Sequence, residues 1–377
     1  MRQQLAIFTL LFFLSFGAKA QQGYTITGTV TDAETGETLP FANVFFAETT
    51  YGVNTNEVGQ FKLKVQQPGT YDLIVRFVGY QTYGINLRLE DNYNLSFDIA
   101  LKPEELNLGS VTVMANKDEN WQRYLQEFKD AFLGYSKNSS QCKILNEEDL
   151  DFYYDRKENA LYAYSKGPIK VENKALGYTI DYYLEEFKND YSRNLNTYYG
   201  YTVFTEMEPR SKRRERIWEE NRKRAYEGSI QHFFSSVFEG KLEEEGYIVL
   251  VAKDVTNFGR VLDPTNVNLR DSLNNGQSDL SRQLPFENFL YVTYTKESET
   301  PEYVQNGKPG GKLNSASASR LGKQVSWITM AEGKEVIEFE RTGYVYDPLS
   351  FYSSGYWGFE KVADMVPINY KPKSEEK

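Results

Sequence analysis

One histidine and one cysteine in 377 residues withhold most of the side chains that metal and thiol chemistry require. A zinc site built from several imidazoles is excluded by counting, as is the helical zinc-protease motif with its two histidines one turn apart. An internal disulfide is excluded as well, so stability has to come from packed cores. The lone Cys142 reads as a small buried apolar side chain, the usual fate of a free cysteine, and it lies too far along the chain to be expected to carry a lipid at a mature N-terminus. Apolar runs of the roughly 20 residues that span a bilayer are missing. So are glycine-rich phosphate loops and a Gly-x-Ser-x-Gly elbow. Basic residues are in deficit, 43 against 53 acids for a net charge of -10, which disfavours nucleic acid as a partner.

The start of the chain carries Arg2, an apolar run from Leu5 to Phe16, and Ala18-Lys19-Ala20 in a small-x-small pattern. These features predict a signal peptide over residues 1–20 with cleavage after Ala20, and hence export to the periplasm or the outer membrane. Cleavage would remove Arg2 and Lys19 and no acid, which moves the charge balance further negative. The remainder has ample core material, with 40% hydrophobic and 15% aromatic residues, dominated by 29 Tyr and 24 Phe. Such residues suit strands, and the length favours two domains.

Period-2 alternation dominates residues 23–102. Ile26, Gly28 and Val30 interleave with Thr25, Thr27, Thr29 and Thr31, and Phe61, Leu63 and Val65 with Lys62 and Lys64. Tyr71, Leu73, Val75 and Phe77 share one face of a further segment, as do Leu95, Phe97, Ile99 and Leu101. Turn formers separate these runs at Asp32 to Gly36, Gly52 to Asn56, Pro68-Gly69, Gly79 and Asp91-Asn92. Short strands at this spacing predict an all-β sandwich, in which a one-residue slip would expose a whole face.

An ordered set of motifs runs through the same region: Gly28-Thr29-Val30-Thr31-Asp32, then Leu39-Pro40-Phe41-Ala42-Asn43-Val44, then Gly59-Gln60-Phe61, and finally Val78-Gly79-Tyr80. In this it resembles the carboxypeptidase-regulatory-like domain family, and Leu101 to Val113 resembles the segment that follows such domains in receptors. The resemblance implies a seven-stranded transthyretin-like sandwich of the immunoglobulin-like kind. It also implies a place in the cell envelope of the Bacteroidetes lineage, where these non-catalytic domains stand beside metallocarboxypeptidases or at the N-termini of outer-membrane receptors. Gly28, Asp32, Pro40, Ala42, Gly59, Phe61, Gly79 and Tyr80 are read as structural, the glycines supplying turn conformations and Pro40 holding Leu39 extended. A zinc carboxypeptidase site itself needs two histidines and a glutamate, so that activity does not travel with the resemblance.

A connector at 103–117 leads to a β-rich α+β domain at 118–370. Trp121, Tyr124, Leu125, Phe128 and Phe132 follow helical spacing, with Asn116 and Glu119 as a capping box and Gly134 as the stop. Strands are expected at 151–156, 160–166, 177–187, 198–206, 247–253, 290–295, 325–329, 336–339 and 343–346. Ser211 to Gly228 is rich in arginine, but Glu215, Glu219 and Glu220 are interspersed, which favours a solvated, self-paired helix over a polyanion site. Ile230, Phe233, Phe234, Val237 and Phe238 form an apolar helical stripe closed by Gly240, and His232 within it reads as a partly buried, hydrogen-bonded side chain. Residues 297–320 are expected to be a mobile loop, with Pro309-Gly310-Gly311 and a small-residue run. Leu176-Gly177-Tyr178, Asn221-Arg222, Ala225 to Ser229 and His232-Phe233 resemble companion regions of other envelope proteins, a likeness that implies no activity.

No catalytic residue, cofactor or metal is assigned on this reading. Two functions stay in view. The first is a non-catalytic interaction or structural protein of the envelope, whose sandwich presents a loop end or strand edge to a protein partner such as an outer-membrane receptor. The second is a glycan-binding or glycan-processing protein that would use tyrosines and Trp218, Trp327 and Trp357; paired carboxylates for glycoside hydrolysis stay open, since spatial separation is invisible in sequence.

Overall fold

The structure is a computed structural model and describes residues 23–90, 94–104, 119–255, 259–266, 269–276, 280–307 and 321–373. The expected signal peptide, most of the connector and Asn116 lie outside the described residues, as do 308–320 of the expected loop. The protein is mainly β with a few helices, as the alternation predicts.

Seven strands form the N-terminal sandwich: β1 (Tyr24–Asp32), β2 (Asn43–Phe46), β3 (Gly52–Asn54), β4 (Gln60–Val65), β5 (Gly69–Arg76), β6 (Tyr83–Leu89) and β7 (Asn94–Leu101). One sheet has the order β4-β1-β7, the other β3-β2-β5-β6. Ile26, Val30, Leu63, Val65, Leu73 and Val75 face inward between them, which is the face the alternation picks out. Two later residues, Tyr344 and Ile368, join this core.

A second, six-stranded sheet holds β8 (Cys142–Ile144), β9 (Leu150–Asp155), β10 (Ala160–Ser165), β11 (Ile169–Asn173), β12 (Tyr178–Asp190) and β13 (Leu195–Glu206). Helix α1 (Trp121–Leu133) lays Phe128 and Phe132 on its inner face against Phe187 and Tyr182. The expected capping box is not formed there. Asn120 occupies the N-cap without a side-chain bond to a helix amide, and Glu119 precedes the helix, where it cannot reach back from the first turn.

Helices α2 (Lys212–Tyr226) and α3 (Ile230–Glu239) follow. Ser211 and Ser229 cap them by accepting from the amides of Arg214 and His232, and Gly240 ends α3 in the left-handed region at φ 68°. The remaining strands are β14 (Tyr247–Val255), β15 (Gly259–Asn266), β16 (Asn274–Asn275), β17 (Ser281–Pro285), β18 (Phe289–Ser298), β19 (Lys323–Met330), β20 (Val336–Glu340) and β21 (Phe351–Gly355). They form sheets ordered β15-β14-β18-β19-β21 and β16-β17-β20 around a third core that takes in Phe233, Phe234 and Val237 of α3. Among the described residues, 118–370 therefore contains two large apolar cores of its own and a small cluster of Tyr303, Tyr356 and Phe359.

Two expectations fail here. Residues 343–346 are not a strand: Gly343 turns at φ 83° and only Val345 bridges to Phe339. The part of 297–320 that is described is not a loose loop either. Ser298 ends β18, and Tyr303–Gly307 make one wide helical turn whose Tyr303 packs on Tyr356 and Phe359. Two aromatic rings far along the chain supply the burial that the local sequence lacks.

The segment 356–370, which begins with the single helical turn α4 (Tyr356–Phe359), ties the cores together. Trp357 enters the third core, Val362 and Val366 the second, and Ile368 the first.

Candidate interaction surface and buried polar centres

One end of the sandwich is anchored. The Glu48 amide donates to the Thr202 carbonyl at 2.7 Å, the Phe204 amide to the Thr49 carbonyl at 2.8 Å, and the Ile368 amide to the Glu48 carbonyl at 2.7 Å. On the side of the β2–β5 sheet, Phe45 stacks on Tyr183 with centroids 5.0 Å apart, joined by Ala47, Ile74, Tyr201 and Val203.

At the opposite end, away from these contacts among the described residues, lie the loops that carry the motif residues Asp32, Pro40, Ala42, Gly59, Gly79 and Tyr80. Asp32, at the end of β1, accepts from the amides of Glu34 and Thr35 at 2.7 and 2.8 Å and from the Tyr80 hydroxyl at 2.5 Å. Gly28 is required by close approach, because a Cβ there would sit 2.6 Å from the ring of Phe61, its partner across the β1–β4 pair. Gly59 turns the chain into β4 at φ 71°, and Gly79 turns it between β5 and β6 at φ 83°. Pro40 begins the turn that leads into β2, and buried Ala42 follows, its amide donating to Thr55 Oγ1 at 2.8 Å. Thr55 Oγ1 in turn donates to the Leu39 carbonyl at 2.7 Å, so one threonine brackets the turn from both sides.

Between those bonds Phe41 is held at φ 61° with 63% of its surface exposed. A bulky residue in the left-handed region costs about 1–2 kcal/mol, and here the strain presents a ring to solvent. Val78, 86% exposed, lies on the β5–β6 loop just beyond Arg76, the partner of Asn43, and Val58, 54% exposed, on the β3–β4 turn, so both belong to the same end of the sandwich as Phe41. Glu34, Glu37 and Glu57 are exposed on the same loops. The motifs thus build a rigid loop end that displays three apolar side chains with an acidic rim. Sequence reasoning missed these three, since isolated Phe and Val in turns give no periodic signal.

His232, in the first turn of α3, is buried. A backbone amide can only donate, so the Gly228 N–H at 3.1 Å makes Nδ1 the acceptor, and Tyr247 Oη lies 3.0 Å from the same atom. The proton therefore sits on Nε2, which faces Glu245 Oε2 at 3.5 Å. Burial pushes His232 down to about 4 against the opposing pull of Glu245, so the contact is between a neutral imidazole and a carboxylate. Trp357 Nε1 donates to the Gly228 carbonyl at 2.7 Å, completing a structural centre around that glycine.

A second polar centre lies at the anchored end. Glu340, 2% exposed, accepts from the Thr70 amide at 3.2 Å, and burial, reinforced by Asp72, raises it to about 8. Glu48 is raised to about 7 by burial and the same neighbour. Asp72 accepts from Tyr344 Oη and from Asn86 Nδ2. Among the described residues no three His, Cys, Asp or Glu side chains are arranged to hold a metal ion. Cys142 Sγ faces the Asn138 carbonyl, and burial pushes its thiol up to about 12.

The arginine-rich helix α2 is tied down by one face. Trp218 Nε1, Asn221 Nδ2 and Arg222 Nε donate to the carbonyls of Lys174, Ala175 and Leu176 at 2.9, 2.8 and 2.7 Å, and the Arg222 guanidinium lies 3.9 Å over the Tyr178 ring. Its ion pairs reach outside the expected local set: Arg222 meets Glu206 and Lys373 meets Glu219. Of the tryptophans considered for sugar stacking, Trp218 and Trp357 are buried, and half-buried Trp327 lies parallel to Tyr291 on neighbouring strands.

Residues 26–113 match the family model of the CarboxypepD_reg-like domain, a non-catalytic module. No curated protein matches the chain in sequence. Among solved structures, catechol 1,2-dioxygenase from Acinetobacter sp. ADP1 is similar at 12% identity over 24% of this chain and 55% of that one, with a TM-score of 0.18. Shaft pilin SpaA from Lactobacillus rhamnosus GG is similar at 16% over 22% and 46%, TM-score 0.18. A cohesin–X-dockerin complex from Acetivibrio cellulolyticus is similar at 20% over 29% and 74%, TM-score 0.20. The chain spans about half the length of the first two, and likenesses at such scores carry no argument about ligand or activity.

Proposed function

We propose that this protein is a non-catalytic interaction or structural component of the bacterial cell envelope, exported after loss of residues 1–20, and that the motif-bearing end of its sandwich docks on an envelope protein partner. One observation carries the reading. Phe41, held in the left-handed region by its hydrogen-bonded turn, and Val58 and Val78 are exposed on loops at the end of the sandwich away from the anchoring contacts. Exposed apolar side chains with a polar rim are the usual make-up of a protein contact. The acidic rim of Glu34, Glu37 and Glu57 favours a partner with basic residues around an apolar centre.

A photo-crosslinking residue in place of Phe41 or Val78, expressed in the native cell, tests this. The expected result is one discrete adduct in the envelope fraction, absent when the probe replaces exposed Lys62 on β4. Recovery of the protein outside the envelope, or equal labelling from all three positions, would sink the proposal.

A further inference from the structure

The six-stranded sheet has an outer face that the sandwich covers only in part. Phe45, Ala47 and Ile74 lie over Tyr183, Tyr201 and Val203, while α1 covers the inner face through Trp121, Tyr124 and Phe128 on Phe152. Strand alternation sends the neighbours of Phe152 the other way. The register pairs Tyr153 with Tyr162, Asp151 with Tyr164, and Tyr162 with Lys188, so these side chains share the outer face of β9, β10 and β12. Tyr153 and Tyr164 are 52% and 43% exposed. The rings of Tyr153 and Tyr162 have centroids 6.3 Å apart and planes 32° from parallel, and Tyr164 follows Tyr162 about 7 Å along the strand.

The polar groups around this row are organised and balanced in sign. Glu158 Oε2 accepts from Tyr162 Oη and from Lys188 Nζ, each at 2.6 Å, and Lys188 lies 5.4 Å from the Tyr162 ring centroid. Lys166 and Asp151 stand 4.0 Å apart at the other end. A polyanion or polycation would select a face with one sign in excess. A protein contact would favour a centre depleted of charge, whereas here a tight ion pair lies beside the middle ring. A pyranose fits both features: its C–H face is apolar and packs on a ring, and its rim of neutral hydroxyls both donates and accepts.

We propose that the outer face of β9 and β10 is a binding site for a neutral glycan chain, with Tyr153, Tyr162 and Tyr164 as stacking rings and Glu158 and Lys188 as hydroxyl partners. The site lies on a different sheet from the motif-bearing end of the sandwich and does not depend on it. The tyrosines take the place of the tryptophans that sequence alone brings to mind.

Titration calorimetry of the full chain against cellohexaose, xylohexaose, laminarihexaose and chitohexaose, with heparin as the charged control, tests the assignment. At least one neutral hexasaccharide should bind. The double variant Tyr153→Ala/Tyr164→Ala should weaken binding by about tenfold or more, equivalent to about 1.4 kcal/mol, while Tyr153→Phe/Tyr164→Phe keeps most of it. Both variants should melt as the parent does, because both side chains are exposed. Binding of heparin alone, no binding by the neutral sugars, or unchanged affinity in the alanine variant would overturn the proposal.

Discussion

Tyr80 donates its hydroxyl to the carboxylate of Asp32 across 2.5 Å, joining the β5–β6 turn to the end of β1. That bond, followed by the Thr35 amide, holds Asp32 below the usual carboxylate range. A group with a depressed folded pKa contributes stability above its unfolded pKa and loses it as pH falls through the folded one. Tyr80→Phe should therefore raise the Asp32 titration toward its ordinary value and reduce the drop in melting temperature between neutral and strongly acidic pH. Carboxyl NMR titration of the two proteins decides the matter; identical Asp32 curves would show that the tyrosine is not the cause.

Gly177 turns at φ 70° under the indole of Trp218, where a Cβ would lie 2.2 Å from the ring. Gly177→Ala is expected to cost roughly 2–4 kcal/mol, combining backbone strain with overpacking. Gly36→Ala is the control, because its φ of 74° carries the same strain with nothing within 4 Å; about 1–2 kcal/mol is expected there. Thermal unfolding of both separates crowding from backbone conformation.

Glu340 should make the protein less stable in alkali. Its folded pKa is raised from 4.5 to about 8, so the unfolded chain ionises first, and the stabilisation present below 4.5 is lost as pH rises through 8. Facing it are Asp72, Tyr71, Tyr344 and Tyr346, with Thr70 and Thr342 as hydrogen-bonding neighbours that oppose the shift. Glu340→Gln should match the parent in melting temperature near pH 5 and exceed it near pH 9, measured by calorimetry. A parallel pH profile in the two proteins would contradict this.

The only imidazole gives an unambiguous NMR signal. His232 should stay neutral, with its proton on Nε2, until pH approaches about 4. Because the unfolded chain protonates near 6.5, stability should fall as pH drops between those values. His232→Ala leaves the Gly228 amide without its acceptor and should cost about 1–3 kcal/mol for that group alone. A titration midpoint near 6.5 would mean the site is wetter than the packing shows.

Strands β1, β4, β5 and β7 of the sandwich and the helices α1, α2 and α3 were legible in the sequence, because period 2 and helical spacing are local signals; β2 and β6 were not, and Gly52–Asn54, expected within a turn, is β3. The pairing of Asn221 and Arg222 with the carbonyls around Leu176 was not, although both stretches stood out, since nothing local says that residues 45 apart meet. Strands β8 and β21 escaped for a related reason, since each is held by a neighbour more than 20 residues away rather than by its own pattern, and β11, β15, β16 and β17 were not read from the sequence either.

By itself, the sequence determined that this is a mainly β protein with a sandwich at its start, because alternation divides each strand it reaches into two faces. Only the tertiary structure decided which faces stay open. Tyr153 and Tyr182 are both strand tyrosines, yet α1 packs against Tyr182 and leaves Tyr153 in water. Alternation says that a strand has two sides; packing between distant elements chooses the side that meets solvent, and with it the surface left for a ligand.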